Sequence, residues 1–452
     1  MRRKPARMWY GGVVVKVLLA LCVLLPEVIG AETGGEAGPA GETLRIRRAE
    51  RLVLHIPFYC ERVRRHMHRA KTHGERVYVY RVELQDGSVG WGEARIDRGK
   101  RASGLVGRNA LGVIHDGRAG FGFQMAVVDA VGRASGLPAW RLLGTKKRDR
   151  VKIAWWDIDM PPEDLAAEMK EAVRRGYTTA KLKPRPWRDL LAQLDAIEKV
   201  VPEGFTVTLD FNGFLLDAEQ ALRFLSRIDD RPLVGGYESP FYLQNDTDGA
   251  RKLTEAMTKR TVEHFRKKVL HARAADGFVV ASNYMPLGRT ARLDAQCASF
   301  GKPYWLQMVG TGITTAFMAH LGAIHPNAKW PGVTCHELWD NDLLEERLEV
   351  KNGTVAVPDG PGLGVSVDAD AIERYRVEGP EVPTPKEQYL QRKGTIRIHI
   401  PAADDIGTGP DDFAPNGRVL EFGEEGEYYH EFLKGRYPGF RPGTRLEVIE
   451  GD

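Results

Sequence analysis

The sequence has few cysteines, little net charge and none of the common nucleotide or hydrolase signatures, and each shortage excludes a class of protein. The chain has 452 residues, 4 cysteines and a formal net charge of +4. So small a surplus of positive charge argues against a dedicated nucleic-acid binder. No Walker loop, paired CxxC motif or GxSxG elbow occurs in the sequence, so nothing in it indicates a P-loop site, a paired-cysteine metal site or an α/β-hydrolase.

What is present is the composition of an ordinary soluble globular protein. Hydrophobic residues make up 42% of the chain and charged residues 28%. The length suits two or three domains. Beyond the N-terminal segment only Cys60, Cys297 and Cys335 remain, and an odd number implies no complete disulfide framework, so we expect free and mostly buried thiols.

The first 31 residues have the three-part pattern of a secretory signal peptide. Basic "MRRKPARMWYGG" is followed by apolar "VVVKVLLALCVLL" and by "PEVIGAE", with Ala31 the expected last residue. An uncleaved membrane anchor is the alternative, but the apolar stretch is shorter than the ~20 residues of a span and contains Lys16. We therefore expect an exported protein that meets a membrane only during export, with a Gly-rich linker over residues 32–44.

Residues 45–150 have the pattern of an α+β domain. "RVYVYRVELQDGSVGWGEA" contains two alternating runs around Asp86-Gly87, which predicts a β-hairpin. Residues 123–144 have apolar residues at helical spacing until a Gly-Leu-Pro stop interrupts them.

Residues 151–376 have the pattern of a parallel (β/α) barrel, because eight short apolar runs alternate with amphipathic stretches. The runs are "VKIAWWDI", "TAKLK", "VTLDF", "LVGGYESP", "RTVEHF", "GFVVASN", "YWLQMVG" and "GVTCHEL". An open doubly wound sheet is the alternative, but the count of eight favours closure. The gap between the fifth and sixth runs predicts a stunted helix. Residues 377–452 suggest a small β-rich appendage.

Polar residues cluster at the predicted strand ends, where a parallel barrel carries its chemistry. Lys181 and Lys183 are two apart on the second strand and therefore share a face. The other polar residues at these ends are Asp210, Asn212, Glu238, Glu263, His264, Asn283, Gln307 and Glu337. Each carboxylate alone could be a helix N-cap or surface ion-pair residue. Together, converging acids need a cation between them, and hard oxygen ligands favour Mg²⁺.

The ordered set of motifs resembles the enolase superfamily, in its mandelate racemase and muconate lactonizing enzyme branch. The matching pieces are "GWGEA", "VDAVGRASGLPAWRLLG", "KLK", "LDFN", "YESP" and "VPDGPGLGV". They run in the family's order from about residue 45 to residue 375. The resemblance implies an α+β capping domain followed by a modified TIM barrel, with the active site between them. Barrels of this kind often form homo-oligomers through their outer helices.

The resemblance also implies roles for individual residues. Asp210 and Glu238 would be the first two Mg²⁺ ligands, and Lys183 the base that removes the proton next to a substrate carboxylate. Lys181 would depress the pKa of Lys183 and contact the carboxylate. Glu337 would hydrogen-bond the bound carboxylate or enolate.

The chain departs from the family pattern on three strands. "RTVEHF" offers Glu263 or His264 as the third metal ligand; His264 lies nearer the strand end, and a histidine would favour Mn²⁺ or another divalent metal. The sixth and seventh strands offer Asn283 and Gln307, which can bind a substrate but cannot exchange protons at neutral pH. A racemase needs acid–base groups on both faces, so a single lysine base favours one-base elimination or cycloisomerisation.

A basic stretch, "YCERVRRHMHRAKTH" over residues 59–73, precedes the hairpin and contains Arg65. In the family the equivalent loop closes over the substrate, so the resemblance implies a polyanionic ligand such as a dicarboxylate, a sugar acid or a phosphorylated acid. The expected partner is therefore a small-molecule carboxylate or sugar acid. A solvated basic loop is the alternative. The resemblance thus predicts a metal-dependent lyase or isomerase. A sugar-acid dehydratase and a catalytically inactive exported carboxylate-binding protein are the other hypotheses.

Overall fold

The computed structural model describes residues 43–70, 73–94, 102–185, 188–215, 217–282 and 285–377, with residues 68–70 as backbone only, and the backbone of three later strands. The predicted signal peptide and most of the predicted linker lie outside these ranges. Within them, no helix is both long enough and apolar enough to cross a membrane.

The N-terminal domain contains an antiparallel sheet of three strands in the order β1-β2-β3. The strands are β1 (Ile46–His55), β2 (Arg76–Leu84) and β3 (Val89–Ala94). The predicted hairpin is confirmed as β2 and β3, with Gly87 at φ 87° in the turn. The basic stretch contains a helix, Glu61–Ala70, where the resemblance implied a loop.

Three more helices complete this domain: Ala110–Ile114, Phe121–Ser135 and Ala139–Leu143. The predicted helix stop is confirmed, because Gly136 ends the second of them in a left-handed conformation. This helix packs closely on β3: a Cβ added at Gly92 would lie 2.1 Å from the carbonyl oxygen of Gly122. The "GWG" pattern therefore allows the helix backbone to approach the sheet.

The barrel contains seven parallel strands in unbroken order from β5 to β11. They are β5 (Trp155–Trp156), β6 (Thr179–Leu182), β7 (Thr206–Asp210), β8 (Val234–Glu238), β9 (Arg260–His264), β10 (Gly277–Val280) and β11 (Tyr304–Leu306). The helices that follow these strands are Pro162–Arg174, Leu190–Glu198, Ala218–Leu225, Thr247–Ala256, Lys267–His271, Leu287–Ser299 and Gly312–Ile324. The stunted helix predicted between the fifth and sixth strands is confirmed, since Lys267–His271 has 5 residues.

The eighth run is not a regular strand, which corrects the predicted count of eight. Gly332 and Val333 form only isolated parallel bridges, to Ile153 and Gln307, and these bridges close the barrel. Cys335 then takes a left-handed φ of 58°, and a 3₁₀ helix, His336–Leu338, follows. A left-handed residue cannot continue an extended strand, so the last barrel position is irregular.

Two small antiparallel sheets and one helix complete the described chain. One sheet joins β4 (Arg150–Lys152), β12 (Val350–Lys351) and β13 (Thr354–Ala356), and the helix Ala369–Tyr375 follows it. The other sheet contains β14 (Gly394–Ile400), β15 (Arg418–Phe422) and β16 (Arg445–Glu450), with β14 in the middle. The predicted modified barrel with an α+β capping domain and a β-rich appendage is therefore confirmed.

The capping domain is joined to the barrel through Glu93 of the "GWGEA" motif. The buried Glu93 carboxylate accepts hydrogen bonds at 2.8–2.9 Å from the Thr311 amide, the Thr311 hydroxyl and the Thr314 hydroxyl. These threonines begin the barrel helix Gly312–Ile324. Burial raises the pKa of Glu93 to about 7, against the lowering effect of these hydrogen bonds.

Candidate active site at the strand ends

The two lysines of "KLK", Lys181 on β6 and Lys183 directly after it, point into the barrel, as their spacing predicts. Lys181 is buried, and its Nζ lies 2.6 Å from Glu238 Oε2 and 3.1 Å from Asp210 Oδ2. It also donates to Gln307 Oε1 at 2.7 Å. Lys183 Nζ lies 2.5 Å from Asp210 Oδ2 and donates to Asn212 Oδ1 at 2.9 Å.

The two acids stand at the ends of neighbouring strands, because β7 and β8 are parallel and Asp210 pairs in register with Glu238. Both carboxyl groups are fully buried. Asp210 Oδ1 accepts a hydrogen bond from the amide of Asn212, whose left-handed φ of 49° folds it back over the strand end. Asn is one of the few non-glycine residues that adopts this conformation readily.

The pKa values of the two lysines are shifted in opposite directions. Burial lowers the pKa of Lys183, and the charges of Lys181 and Arg185 lower it further against the attraction of Asp210. Burial also acts to lower the pKa of Lys181, but Glu238 and Asp210 outweigh it and the pKa rises. Lys181 therefore stays cationic, while Lys183 has the depressed pKa that a base requires.

The pKa values of Asp210 and Glu238 are also shifted in opposite directions. Burial and the charge of Asp210 raise the pKa of Glu238 to about 8, against the lysines. Burial opposes ionisation of Asp210 too, but Lys183 and Lys181 hold its pKa well below the ordinary value.

On β9, the structure separates the two candidates for a third ligand. His264 Nε2 lies 3.4 Å from Glu238 Oε1. Glu263 accepts hydrogen bonds from Ser239 Oγ, the Leu243 amide and the His264 amide at 2.7–3.1 Å. Of the two, His264 is the one that faces the acids. Burial and the charge of Lys181 lower the pKa of His264 to about 4, which keeps the imidazole neutral.

The donor set fits a cation only in part. Glu238 Oε2 pairs with the Lys181 ammonium, and Oε1 has only the His264 ring at 3.4 Å within the described chain, which leaves lone pairs that a metal could use. However, across the described ranges no group of three His, Cys, Asp or Glu side chains lies close enough to hold a metal ion. The Lys181 ammonium contacts both acids, and Lys183 contacts Asp210 as well.

Glu337 does not contact the lysines. It is buried in the 3₁₀ helix after the irregular eighth run, and its Oε1 accepts a hydrogen bond from the Trp156 amide at 2.7 Å. Its Oε2 accepts no hydrogen bond within the described chain. Burial raises the pKa of Glu337 to about 8. Its role toward a bound carboxylate or enolate stays a prediction.

The four predicted substrate-binding residues do not all lie at the site. Asn212 and Gln307 contact the lysines as described above, whereas Asn283 lies outside the described residues. Arg65 pairs with Asp164 of the barrel helix Pro162–Arg174, with Nη2 2.7 Å from Oδ2. Its guanidinium binds the barrel surface in this structure.

Arg185, which was not among the predicted site residues, lies beside the lysines. Its Nη2 donates at 2.9 Å to Asn212 Oδ1, the same oxygen that Lys183 contacts. The available signal was the spacing: Lys181, Lys183 and Arg185 recur every second residue, so an extended chain points all three to one side.

Comparison with known proteins places the barrel in a family. Residues 164–371 match the model of the enolase C-terminal domain-like family. D-gluconate dehydratase of Thermoproteus tenax is 25% identical over 61% of this chain and 59% of its own length. N-succinylamino acid racemase of Thermus thermophilus is 29% identical over 56% of this chain and 69% of its own length. Chloromuconate cycloisomerase of Cupriavidus pinatubonensis is 28% identical over 63% of this chain and 78% of its own length. The chain thus spans less than two thirds of the length of the dehydratase.

Solved structures show the same fold. An enolase from Thermobispora bispora, complexed with magnesium and formate, is similar with a TM-score of 0.60 and 22% identity, over 74% of this chain and 92% of that one. This likeness supports the capping domain and the modified barrel together. Residues 164–371 therefore belong to the enolase C-terminal domain-like family, and the chain is similar to enzymes of the enolase superfamily, in its mandelate racemase and muconate lactonizing enzyme branch.

Proposed function

We propose that this protein removes the α-proton of a small carboxylate substrate and directs the enolate to a one-base elimination or cycloisomerisation. The observation that carries the proposal is the placement of Lys183. Its Nζ lies at the strand ends, 2.5 Å from the buried Asp210 carboxylate, with the second ammonium of Lys181 on the same acid. Buried lysines with a cationic neighbour are the kind of amine that can act as a base near neutral pH.

Asp210, Glu238 and His264 would hold a divalent cation, Mg²⁺ or, given the imidazole, Mn²⁺. When bound, the cation supplies positive charge that stabilises the enolate as it forms. Lys181, which contacts both acids, would bind the substrate carboxylate through its ammonium. Lys183 then accepts the α-proton, and Asn212 fixes the position of its Nζ through the 2.9 Å hydrogen bond.

The residue that follows the seventh barrel strand supports a single base. Gln307 faces Lys181 at 2.7 Å, and an amide cannot exchange protons at neutral pH. An N-succinylamino acid racemase is among the relatives, but epimerisation needs a proton donor on each face. For the same reason we rank a sugar-acid dehydratase second, although D-gluconate dehydratase is related to this chain.

A catalytically inactive carboxylate-binding protein is the alternative from another class. The observation that favours it is the pairing of Lys181 with Asp210 and Glu238, together with the lack of a three-ligand group in the described ranges. Such a protein would bind an acid through its cations and leave the α-proton in place.

Isotope exchange separates the two functions. The purified protein is incubated with a panel of carboxylates in ²H₂O with Mg²⁺ or Mn²⁺, and α-deuterium is detected by NMR. We expect incorporation with the wild type and with Lys199→Ala, an exposed lysine after a barrel helix, and none with Lys183→Ala. Binding of panel members without exchange in the wild type would favour the inactive protein.

We further propose that the protein is exported and cleaved after Ala31, on the strength of the basic and apolar segments of the N-terminus. The test is N-terminal sequencing of the protein secreted by an expressing bacterium. The expected first residue is Glu32. An intact Met1 on protein that stays with the cells would refute export.

A further inference from the structure

A small polar cavity lies inside the barrel, about one layer of side chains away from the strand ends. Its polar lining residues are Thr179, Lys181, Thr208, Arg260 and Trp305, and the others are alanine, proline and valine. The space open to the centre of a water-sized sphere measures about 10 Å³, which is room for about one water molecule or one small ion. We call this space the barrel cavity. Among the described residues, no aspartate or glutamate lines it.

The alternation of side chains along the strands produces the barrel cavity. Its polar residues precede the site residues on the same strands: Thr179 lies two residues before Lys181, Thr208 two before Asp210, Trp305 two before Gln307, and Arg260 four before His264. They therefore face the barrel interior, displaced from the site by about 7 Å for every two residues. Bulky branched side chains usually fill such a layer. Here Gly236 leaves room for Arg260, since a Cβ added at Gly236 would lie 2.6 Å from Arg260 Cγ.

Two donors at the barrel cavity have no partner within the described chain. Trp305 is 3% exposed, and its Nε1 forms no hydrogen bond there. The hydroxyl of the buried Thr208 forms none either. Thr179 is a third donor, because its Oγ1 accepts a hydrogen bond from Thr206 Oγ1 at 3.1 Å and keeps its own proton to donate. Buried donors nearly always have an acceptor in native proteins, so these groups can bind an acceptor in the barrel cavity.

Two cations border the same space. Arg260 donates through Nε to the Gly235 carbonyl at 2.9 Å, and its guanidinium carbon lies 4.9 Å from the centre of the Trp330 ring. The Nη groups of Arg260 form no hydrogen bond within the described chain. Burial lowers the pKa of Arg260 more than the charge of Asp276 raises it, but a guanidinium stays protonated in proteins. Lys181 contributes charge alone, because its ammonium contacts three acceptors at the site.

These features favour an anion over a water molecule. The N–H groups of Trp305 and Arg260 and the hydroxyl of Thr208 can all donate to one acceptor, and two positive charges stabilise a negative one strongly in surroundings of low polarity. A water molecule gains less from the two charges and also needs acceptors for its own protons. The small size of the barrel cavity excludes carboxylates and phosphates, which leaves a monoatomic anion.

We propose that the barrel cavity binds one halide ion, held by Trp305 Nε1, the Arg260 guanidinium and the Thr208 hydroxyl. The ion would add a negative charge near the Lys181 ammonium, on the side away from the strand ends. This inference does not depend on the proposed function, because halide binding needs neither a metal nor a reaction.

Anomalous diffraction tests the position of the ion. Crystals of the full chain grown with sodium bromide are measured on both sides of the bromine absorption edge. We expect an anomalous peak in the barrel cavity, within hydrogen-bonding reach of Trp305 Nε1 and of an Nη of Arg260. Electron density there without an anomalous signal would be a water molecule and would overturn the inference.

Thermal unfolding tests binding in solution, because a ligand of the folded state raises the Tm. We expect about 0.1 M sodium chloride to give a Tm about 1–3 °C higher than the same concentration of sodium methanesulfonate, whose anion is too large for the barrel cavity. Trp305→Phe removes the indole N–H but keeps an aromatic ring, and Arg260→Met removes the charge. Each variant should lose the difference between the two salts.

Trp91→Phe is the matched control, because Trp91 lies on β3 of the capping domain; it should keep the full difference between the salts. Circular dichroism confirms that each variant is folded, and Arg260→Met, a change at a half-buried residue, serves if Trp305→Phe is not. A bromide peak in crystals with the same salt difference in all variants would mean binding at crystal concentration only and would overturn the inference. Equal Tm values of the wild type in the two salts would do the same.

Discussion

Lys181 and Glu238 form a buried ion pair, with Nζ 2.6 Å from Oε2. In the proposed function, this ammonium and a divalent metal would compete for the same carboxylate. Asp210 and Glu238, the two buried acids at the neighbouring strand ends, each contact this ammonium.

Removing the ammonium should strengthen metal binding. We expect Lys181→Met to bind Mn²⁺ about tenfold more tightly than the wild type. The variant lacks the ammonium that pairs with Asp210 and Glu238, so both carboxylates can bind the metal without displacing it. Isothermal titration with Mn²⁺ measures the effect, and Lys199→Met is the control at an exposed position. Unchanged or weaker binding in Lys181→Met would contradict competition between the lysine and the metal.

Glu263 and His264, the two candidate third ligands on β9, should have different roles. His264→Ala should weaken Mn²⁺ binding by at least about tenfold, since His264 is the residue that faces Glu238. Glu263→Gln should leave Mn²⁺ affinity within about twofold but lower the free energy of unfolding by about 1–3 kcal/mol, because its carboxylate accepts three hydrogen bonds. Loss of metal binding in Glu263→Gln instead would reverse the assignment.

Glu93 should make stability fall with rising pH. Its pKa is raised from 4.5 to about 7 in the folded protein, so the folded state binds the proton more tightly than the unfolded state. The bound proton contributes about 3 kcal/mol to the free energy of unfolding. This contribution is full below pH ~4.5 and is lost as the pH rises through ~7. Urea unfolding from pH 4.5 to 8 measures it.

The matched variant for this prediction is Glu93→Gln, which keeps the shape of the side chain but cannot titrate. The difference in unfolding free energy between wild type and Glu93→Gln should change with pH in the stated direction. Parallel curves for the two proteins would show that Glu93 does not titrate in this range.

Glu168 should fasten the basic helix Glu61–Ala70 to the barrel. Its carboxylate accepts hydrogen bonds from Tyr59 Oη and Arg62 Nε at 2.7 Å. Glu168→Gln should increase hydrogen exchange in this helix about tenfold, because the ion pair with Arg62 is lost. Glu163→Gln, an exposed change on the same barrel helix, should leave the exchange rates unchanged. Equal rates in both variants would contradict a role for Glu168 in holding the helix.

Much of the fold and part of the site could be predicted from local rules. Residues two apart on a strand share a face, so the spacing of Lys181 and Lys183 predicted their convergence. Acids at the ends of adjacent parallel strands must be neighbours, which predicted the meeting of Asp210 and Glu238. Asp86-Gly87 predicted the hairpin, since glycine supplies the positive φ of the turn.

The failures arise where tertiary contacts decide the conformation. The run "GVTCHEL" has strand composition, but the left-handed backbone of Cys335 ends its extension early. The basic stretch was expected as a loop, yet ion pairs with Glu168 and Asp164 lie along a helix there. A carboxylate such as Glu337 can bind a backbone amide as well as a substrate, and no sequence pattern distinguishes the two.

The most direct test of a single buried base is the stereochemistry of exchange. Each enantiomer of a chiral 2-substituted carboxylate that exchanges with the wild type is incubated in ²H₂O with Mg²⁺, and the product is analysed by chiral chromatography and mass spectrometry. With Lys183 as the only base, we predict that one enantiomer gains a single deuterium with its configuration retained. Deuterium incorporation accompanied by racemisation would require a second acid–base group on the opposite face and would contradict a one-base site.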